Sequence, residues 1–464
     1  MNENLFPKKV IASDGVIFKN LFVKQALQIG LKEPKITAFT KDDFLILDFG
    51  VELCGGIRIL TYKAANVPVR IRFGESMSEC CSDLGGEKNA TNDHSLRDFT
   101  VLLQNFSDMS FGQTGFRFVR LDFGGEVEIK SIVAINQILR KKAHYCYAGD
   151  DERICAIYET AKRTVDLCAS SGYVWDGVKR DRLVWIGDMS PEVLALTALY
   201  GRLAEVERSL EYARKQFPLP EWMNTMPAYS MWWIIILADY YERTGAKAFV
   251  SRQLSYLSGL IEQINGCVDE NGDLHYPSYF VDWPTHDQVD EKAGVRAINI
   301  YAMKRAIWLL RKFDRDCVLA ESILARLLLV EIEVQRSKQV LGLKFFATEL
   351  SENDKKRLVE GGARGMSTFM SYYILKAVAS FDKPRAVEMM KEYYGGMLDK
   401  GATTFWEDFD MDWLENSSRI DELPRDDERD IHGDFGAFCY VGFRHSLCHG
   451  WSAGVIAFMK EEGL

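Results

Sequence analysis

The sequence predicts an all-α toroid preceded by an N-terminal antiparallel β-sandwich, and three observations support this fold class. Short apolar or alternating runs broken by Gly, Asn and Asp fill the region from about Phe44 to Leu139, as in β-strands. After roughly Asp150, apolar residues recur three and four positions apart, which is the period of amphipathic helices. At 464 residues the chain exceeds what one hydrophobic core usually organises, so two domains are expected.

The first domain is predicted to span residues 1–145 as a jelly-roll-like β-sandwich. Its strand-like runs read FLILDFG, GGIRILTY, VPVRIRFGE, RDFTVLL, GFRFVRLDFGG and VEIKSIVAI. No helix-length pattern separates these runs, which favours antiparallel pairing over a parallel sheet. The polar, Gly- and Asn-rich stretch from Ser78 to Asp98 is predicted to be a long surface loop.

The second domain is predicted to span residues 146–464 and contains about ten to twelve helix-sized segments. They include ERICAIYETAKRTVDLCAS, PEVLALTALYGRLAEVERSLEYARKQ, SMWWIIILADYYERTG, AINIYAMKRAIWLLRKF and STFMSYYILKAVASF. Such a number fits a closed ring of paired helices or an α-solenoid. Because no sequence repeat of fixed period is visible, the closed ring is favoured.

Charge and composition argue against several classes of partner. The net charge is −10, from 57 basic and 67 acidic residues, and no basic cluster is long enough to follow a phosphate backbone, so nucleic acid is not expected. The longest apolar stretch, Met231 to Ala238, is too short for a bilayer, so no membrane partner is expected. The polar N-terminus lacks a secretory signal, which predicts a cytoplasmic location, or a periplasmic one if a signal was removed.

Cofactors and metals are not indicated either. The ten cysteines include no CxxC pair, so reduced thiols are expected rather than a zinc site or a disulfide framework. The acidic run from Asp421 to Asp434 is the one candidate region for calcium, and a solvated loop is the favoured interpretation of it. The oligomeric state is left open.

The segment WDGVKRDRLVWIGD, between two helix-like segments, is crowded with charged and aromatic residues. Its carboxylates Asp176, Asp181 and Asp188 are too far apart to share one helical face, so they converge only if the loop folds around something polar. A structural interpretation is also open: Asp176 would cap a helix or turn, Arg180 and Arg182 would pair with the aspartates, and the tryptophans would be core residues.

Two further segments combine carboxylates with aromatic rings. TTFWEDFD places Glu407 directly after Trp406, and YPSYFVDWPTHD contains Asp282 next to Trp283. Carbohydrate sites use tryptophan faces for the apolar side of a sugar and carboxylates for its hydroxyls, with two carboxyl groups for acid–base chemistry. Three such mixtures in one chain favour a sugar site over chance neighbours in an acidic protein.

The string DGVKRDRLVWIGD resembles the signature loop of family 78 glycoside hydrolases, the α-L-rhamnosidases, which reads approximately D-x-P-x-R-E-x-x-x-W-x-G-D. The matching positions, at unbroken spacing, are Asp176, Arg180, Trp185, Gly187 and Asp188. TTFWEDFD, FVDWPT and SLCHG around His449 are similar to later motifs of the family, and LDFGVELCGGIRI, RIRFGES and GQTGFRFVRLDF to its sandwich domain. The similarity spans most of the chain in the expected order.

The resemblance implies an inverting enzyme on a ring of six helix pairs, an (α/α)6 barrel, that removes terminal α-L-rhamnose or a related sugar. It places Asp181 at the general acid and Glu407 at the general base. The substrate-binding residues that it implies are Asp176, Arg180, Trp185, Asp188, Asp282, Trp283, Trp406 and His449. Asp181 would stay protonated through burial beside Asp176 or Asp188, although Arg180 next to it would oppose this.

The sequence departs from the family at two places in this loop. The usual acid is glutamate, whereas Asp181 is one methylene shorter, and Gly177 and Val178 stand where the family has a proline. A catalytically impaired sugar-binding homologue is therefore the alternative function. A non-catalytic solenoid scaffold, and a lyase or unsaturated-glycoside hydrolase that uses His275, Tyr276 or His286, are further alternatives.

Overall fold

The computed structural model describes residues 2–30 and 34–464. All of its strands precede residue 138, and all of its helices longer than five residues follow residue 151. The strands are β1 (Asn2–Leu5), β2 (Lys9–Ala12), β3 (Thr37–Phe39), β4 (Phe44–Lys63), β5 (Ala65–Gly74), β6 (Asp98–Gln104), β7 (Ser107–Phe123) and β8 (Val127–Gln137). The chain therefore changes from strands to helices at the same place where the spacing of apolar residues changes in the sequence.

The eight strands form one antiparallel sheet, as the runs of the sequence predict. The strand order is β1-β8-β4-β7-β5-β6, with β2 on β4 and β3 on β8. The long strand β4 pairs with both β7 and β8, and its register shifts near Gly55. A Cβ atom on Gly55 would lie 2.0 Å from the carbonyl oxygen of Ile135, so only glycine allows this close approach.

Alternation of buried and exposed side chains gives the sheet its core. In β5, Val69, Ile71 and Phe73 are buried, and they alternate with polar side chains that follow the two-residue period of a strand. Arginine side chains on the other face form ion pairs, such as Arg70 with Asp98.

One part of the predicted surface loop is a buried helix. The short helix α1 (Met77–Cys81) begins after Ser76, whose hydroxyl accepts a hydrogen bond from the amide of Glu79. Glu79 is buried because its carboxylate meets the ammonium of Lys179 at 2.8 Å. Composition alone predicts that such a polar segment is exposed. The segment is buried because the ion pair with the distant Lys179 neutralises the charge of Glu79.

The helical region contains thirteen α-helices, α2 to α14. They are α2 (Glu152–Cys168), α3 (Met189–Tyr200), α4 (Ala204–Gln216), α5 (Pro227–Thr244), α6 (Lys247–Ser251), α7 (Leu254–Asn265), α8 (Glu291–Lys312), α9 (Val318–Leu327), α10 (Lys338–Ala347), α11 (Glu352–Val359), α12 (Ser371–Ala379), α13 (Lys383–Asp399) and α14 (Val455–Glu461). The long segment that begins PEVLAL is two helices, because Gly201 adopts a φ of 68° and ends α3.

The helices differ in how much of their surface is buried. All twelve residues of α3 are buried, and in α5 the whole stretch from Pro227 to Tyr240, which includes the apolar run MWWIIILA, is buried. In α4 only one stripe of residues is buried. The most buried helices contact one another in succession: α3 with α5, α5 with α8, α8 with α10, α10 with α12, α12 with α14, and α14 with α3. In the described residues, no helix is long and apolar enough to span a bilayer.

The sheet packs against loops of the helical region. Arg117 of β7 forms ion pairs with Asp48 of β4 and, at 3.5 Å, with Asp421. Arg163 of α2 donates to the carbonyl oxygen of Glu52 at 3.0 Å. These contacts bring the sheet close to α2 and to the loop that follows α13. All ten cysteines have free thiols in the structure.

Candidate active site

A cavity of about 230 Å³ lies where the loop between α2 and α3 meets the loops that precede α8 and α14. The residues that line it are His94, Asp176, Arg180, Asp181, Leu183, Trp185, Asp188, Met226, Tyr229, Phe280, Trp283, Glu407, Cys439, Arg444, His449 and Trp451. Eight of the ten predicted site residues are among them. The cavity is smaller than the pockets that bind drug-sized ligands, which suits a single small ligand such as a monosaccharide.

The loop between α2 and α3 folds back on itself around Asp176. The carboxylate of Asp176 accepts a hydrogen bond from the amide of Leu183 at 2.8 Å. Its carbonyl oxygen accepts from the amide of Gly450 at 2.7 Å, and Gly177 forms a β-bridge with His449. These bonds bring the three aspartates of the loop to one cavity. Asp176 thus stabilises the turn of the loop, as the structural interpretation of the sequence expects, and it also lines the cavity.

Arg180 joins the two carboxylates that the resemblance assigns to catalysis. Its Nη1 donates to Asp181 Oδ2 at 2.9 Å, and its Nη2 donates to Glu407 Oε1. Its Nε donates to the carbonyl oxygen of Arg444 at 3.0 Å, which fixes the plane of the guanidinium. Arg182, by contrast, contacts the carbonyl oxygen of Gln113 and no aspartate of the loop.

Glu407 is held from both sides. Its second oxygen, Oε2, accepts a hydrogen bond from the amide of Ser446 at 3.0 Å, and the residue is only 4% exposed. Its carbonyl oxygen accepts from the indole of Trp451 at 2.9 Å. The guanidinium of Arg180 and the amide of Ser446 thus fix the position of this carboxylate at the cavity.

Asp188 is the cavity carboxyl group whose protonation changes near neutral pH. Burial raises the pKa of Asp188 to about 8, and the charge of Glu407 adds to the effect, although the hydrogen bond from Tyr229 at 2.8 Å opposes it. Burial also raises the pKa of Asp176, with help from the negative charges of Asp188 and Asp181. Burial and the charge of Arg180 hold the pKa of His449 well below its usual value, so the ring is neutral.

We expect Asp188→Asn to change how stability depends on pH. A carboxyl group with a raised folded-state pKa contributes stability below its unfolded pKa of about 4 and loses it as pH rises to about 8. The asparagine variant should therefore gain stability relative to the unmodified protein between pH 4 and 8, by at most about 1.4 kcal/mol per pH unit. Urea unfolding at several pH values measures this, with Asp426→Asn at an exposed position as control. Parallel pH curves for the Asp188→Asn variant and the unmodified protein would contradict the prediction.

Asp181 contacts the neighbouring arginine, as the sequence indicated. Its side chain lies between Arg180 and His94, whose Nδ1 is 2.9 Å from Asp181 Oδ1. The contacts of Asp181 are therefore with polar side chains. Burial raises the pKa of Asp176, and the negative charges of Asp188 and Asp181 add to the effect.

Two predicted binding residues do not line the cavity. Asp282 caps the short helical turn Trp283–Thr285 by accepting from the amide of Thr285, and its other oxygen accepts from Ser367 at 2.7 Å. Trp406 is fully buried, with its ring near Phe409 and His445. Each stands next to a cavity residue in the sequence, but its own side chain points into the protein interior.

Aromatic rings form much of the remaining wall. Trp185 meets Tyr229 edge to face, with ring centroids 6.2 Å apart, and Trp283 meets Phe280 in the same manner at 5.2 Å. Trp451 lies against His449 at 4.0 Å. Tyr229, Phe280 and Trp451 were not predicted as site residues. Tyr229 stands in an apolar helix, whereas Phe280 and Trp451 stand close to the predicted residues Trp283 and His449.

A buried charged cluster lies behind the cavity. Glu75, which follows β5, accepts hydrogen bonds from the amide of Leu447 at 2.6 Å and the hydroxyl of Ser446 at 3.2 Å. Lys179 lies 3.5 Å from Glu75 and 2.8 Å from Glu79. Because Ser446 also donates to Glu407, the end of β5 helps to position this glutamate.

Two groups of residues have the spacing of metal ligands. Glu75, Glu79 and His432 form one group, but the ammonium of Lys179 already supplies a positive charge there. His286, Asp287 and Glu291 form the other, which is partly exposed. In the run from Asp421 to Asp434, Asp421 pairs with Arg117 and Arg419, and Asp430 and Asp434 pair with Lys88.

The residues that a lyase would use, His275, Tyr276 and His286, do not line the cavity that contains Glu407. His275 and Tyr276 line a separate, more open depression of about 910 Å³. His275 Nε2 lies 2.9 Å from Asp269, and Tyr276 accepts a hydrogen bond from Asn299. His286 lies against Glu291 at 2.8 Å and is not part of the cavity wall.

No protein-family profile matches the sequence, and no curated protein matches it. Solved structures do match in fold. A rhamnosidase from Klebsiella oxytoca with rhamnose bound has a TM-score of 0.73 and 21% identity, over 92% of this chain and 89% of the other. A family GH78 rhamnosidase of Bacillus sp. GL1 has a TM-score of 0.72 and 19% identity, over 96% of this chain and 48% of the other.

A third match is the native α-L-rhamnosidase from Aspergillus terreus, with a TM-score of 0.67 and 15% identity, over 92% of this chain and 54% of the other. This chain thus spans nearly the whole Klebsiella protein and about half of the other two. At such low identities the matches concern the fold. The resemblance stated from the sequence is confirmed at that level: the chain has the fold of α-L-rhamnosidases, from the N-terminal sheet to the last helix.

Proposed function

We propose that this protein is an inverting glycoside hydrolase that removes terminal α-L-rhamnose or a related 6-deoxy sugar. The observation that carries the proposal is the cavity in which Glu407, paired with Arg180 and Ser446, faces the aspartates of the loop between α2 and α3. A rhamnosidase-like fold with these carboxylates at one small cavity supports sugar chemistry there.

We also infer an (α/α)6 barrel for residues 146–464 and a β-sandwich for residues 1–145. The succession of contacts through α3, α5, α8, α10, α12 and α14 returns to its starting helix, which supports an inner ring of six helices. The strands end at Gln137 and the first long helix begins at Glu152, which supports a boundary near residue 145.

The sugar would bind through its hydroxyls and its apolar face. Asp176 and Asp188 have raised pKa values, and a protonated carboxyl group both donates and accepts hydrogen bonds, as a hydroxyl-rich ligand requires. Trp185 and Trp283 provide rings for the apolar side of the sugar. Glu407 would take a proton from the attacking water, so a cofactor is not required.

The second candidate function is sugar binding without efficient hydrolysis. The contact of Asp181 with Arg180 favours this candidate, because the guanidinium occupies one oxygen of the carboxyl group at the predicted acid position. Such a protein would be stabilised by free L-rhamnose in thermal unfolding and would turn over no glycoside.

The test is turnover of p-nitrophenyl α-L-rhamnopyranoside beside a panel of other aryl glycosides. We expect hydrolysis of the rhamnoside, with β-L-rhamnose as the first product seen by proton NMR, because water attacks from the face opposite the leaving group. First release of the α-anomer would contradict inversion. Binding of rhamnose without turnover of any glycoside would favour the second candidate.

A further inference from the structure

We propose that Phe438, stacked on Trp283 at the opening of the cavity, binds the leaving group of the substrate by a flat apolar face. The inference rests on the proposed hydrolase function and deepens it. It names a substrate class, namely a rhamnoside whose leaving group begins with a ring, either an aryl group or a second sugar. Phe438 is not among the residues that the sequence indicated for the site.

The size of the cavity places the leaving group outside it. The volume of about 230 Å³ suits a monosaccharide, and Asp188 and Glu407 in its wall are each only 4% exposed. The rest of a rhamnoside must therefore leave the cavity on its exposed side. Among the wall residues, Leu183 is 50% exposed and Trp283 and Cys439 are partly exposed, so these side chains belong to the opening.

Phe438 stands at this opening, next to Cys439 in the chain. Its ring stacks on that of Trp283, with centroids 5.6 Å apart and planes at 25°. Trp283 also meets Phe280 edge to face at 5.2 Å, and the buried Tyr440 meets both Trp283 and Phe438 edge to face at 6.4 Å. The stacked pair is thus held by packed aromatic side chains, whereas Phe438 itself is 49% exposed.

The backbone at Phe438 has a conformation that a phenylalanine rarely adopts. Its φ is 56°, in the left-handed region, where a bulky side chain is strained. Hydrogen bonds fix the chain on its C-terminal side. Nε of Arg444 donates to the carbonyl oxygen of Cys439 at 2.7 Å, and the amide of Gly442 donates to that of Phe435 at 2.9 Å. A half-exposed ring held in a strained conformation beside a cavity supports a role in binding.

The exposed ring suits a leaving group that is itself a ring. The face of an aromatic side chain packs on flat apolar surfaces, such as an aryl ring or the C–H face of a pyranose. A methyl group or a short alkyl chain would cover only a small part of it. We therefore expect Phe438 to distinguish rhamnosides by their leaving groups and not by the sugar in the cavity.

The experiment compares Phe438→Asn with the unmodified protein on methyl α-L-rhamnopyranoside, benzyl α-L-rhamnopyranoside and a disaccharide of α-L-rhamnose linked to glucose. Methanol and benzyl alcohol have similar acidity, so the first two substrates differ chiefly in the ring. Asparagine removes the aromatic ring and tolerates a positive φ. Released rhamnose is measured by chromatography.

On a substrate whose leaving group contacts Phe438, we expect kcat/KM to fall by about 3- to 10-fold, the size of one aromatic contact. The rate on methyl rhamnoside should stay unchanged. The loss should appear in KM, because Phe438 would contact the leaving group equally in the bound substrate and in the transition state. Phe438→Tyr, which keeps the ring, should retain the activity that Phe438→Asn loses.

The matched control is Phe106→Asn. Phe106 lies in the turn between β6 and β7, is 62% exposed, has a φ of 48°, and meets Tyr62 edge to face at 5.2 Å. It thus resembles Phe438 in exposure and backbone, but it is remote from the cavity wall. Its replacement should leave all three rates unchanged, and thermal unfolding should show that every variant is folded.

The pattern of losses identifies the leaving group. A loss on the benzyl compound alone assigns an aryl group, and a loss on the disaccharide, with or without one on the benzyl compound, assigns a second sugar. Equal rates of Phe438→Asn and the unmodified protein on all three substrates would overturn the inference, and so would an equal loss on all three. Absence of turnover by the unmodified protein would instead count against the proposed function itself.

Discussion

Replacement of Glu407 by glutamine should abolish turnover of α-L-rhamnosides while leaving the fold intact. The amide cannot take a proton from water, and general-base catalysis contributes about 10²- to 10⁴-fold. The loss should affect kcat rather than KM, because Glu407 acts on water and not on the sugar hydroxyls. Initial rates on p-nitrophenyl α-L-rhamnopyranoside at saturating and limiting substrate separate the two constants.

Glu415→Gln is the matched control for this variant. Glu415 lies in the same long loop but is exposed, so its replacement should leave the rates unchanged. Thermal stabilisation of Glu407→Gln by free L-rhamnose should persist and show that the cavity still binds sugar. A Glu407→Gln variant with at least a tenth of the original kcat would rule out this glutamate as the base.

The sequence predicted the part of the site that depends on local spacing. Asp176, Arg180 and Asp188 belong to one loop, and its hydrogen bond between Asp176 and Leu183 is local, although Gly450 and His449 also hold the loop. The antiparallel strands and the helices were predictable for a similar reason, because burial of one face imposes a period of two or 3.6 residues. The local pattern of apolar residues is enough to predict that these strands and helices form. Short connections between them favour contacts between elements that follow one another in the chain.

Other features depend on contacts between distant parts of the chain. His94 and Glu75 belong to the sheet region, and no spacing within the helical region indicates that they reach Asp181 and Ser446. The sequence of the buried helix α1 is typical of a polar loop, and its burial depends on the ion pair between Glu79 and the distant Lys179. For Trp406, adjacency to Glu407 suggested a shared role, but neighbouring side chains of an extended segment point in opposite directions.

These long-range contacts make the sheet region part of the site. Glu75 accepts hydrogen bonds from the hydroxyl of Ser446 and the amide of Leu447, and the amide of Ser446 in turn donates to Glu407. Lys179 connects Glu79 of α1 with the carbonyl oxygen of His445 at 2.8 Å. Separation of the sheet from the helices would leave several buried charges without partners, so the two regions are expected to unfold together.

Removal of Arg180 should have the second-largest effect, on stability as well as on activity. In Arg180→Met, Glu407 and Asp181 lose the guanidinium that contacts both, and both carboxylates are mostly buried. Breaking a buried ion pair from one side destabilises a protein by roughly 3–5 kcal/mol. Rates should fall at least as far as in Glu407→Gln, because an unpaired buried carboxylate takes up a proton and is then no base.

The pH dependence of this loss distinguishes a charge effect from a packing effect. At low pH the unpaired carboxylates are protonated and their burial costs little, so the stability difference should be small near pH 5 and grow toward pH 8. Urea unfolding of Arg180→Met at several pH values measures it. Arg182→Met, which removes a neighbouring arginine that donates to the carbonyl oxygen of Gln113, should show no such trend. Arg180→Lys should recover part of the stability but little of the rate, since a point charge cannot hold two carboxylates in the plane of a guanidinium.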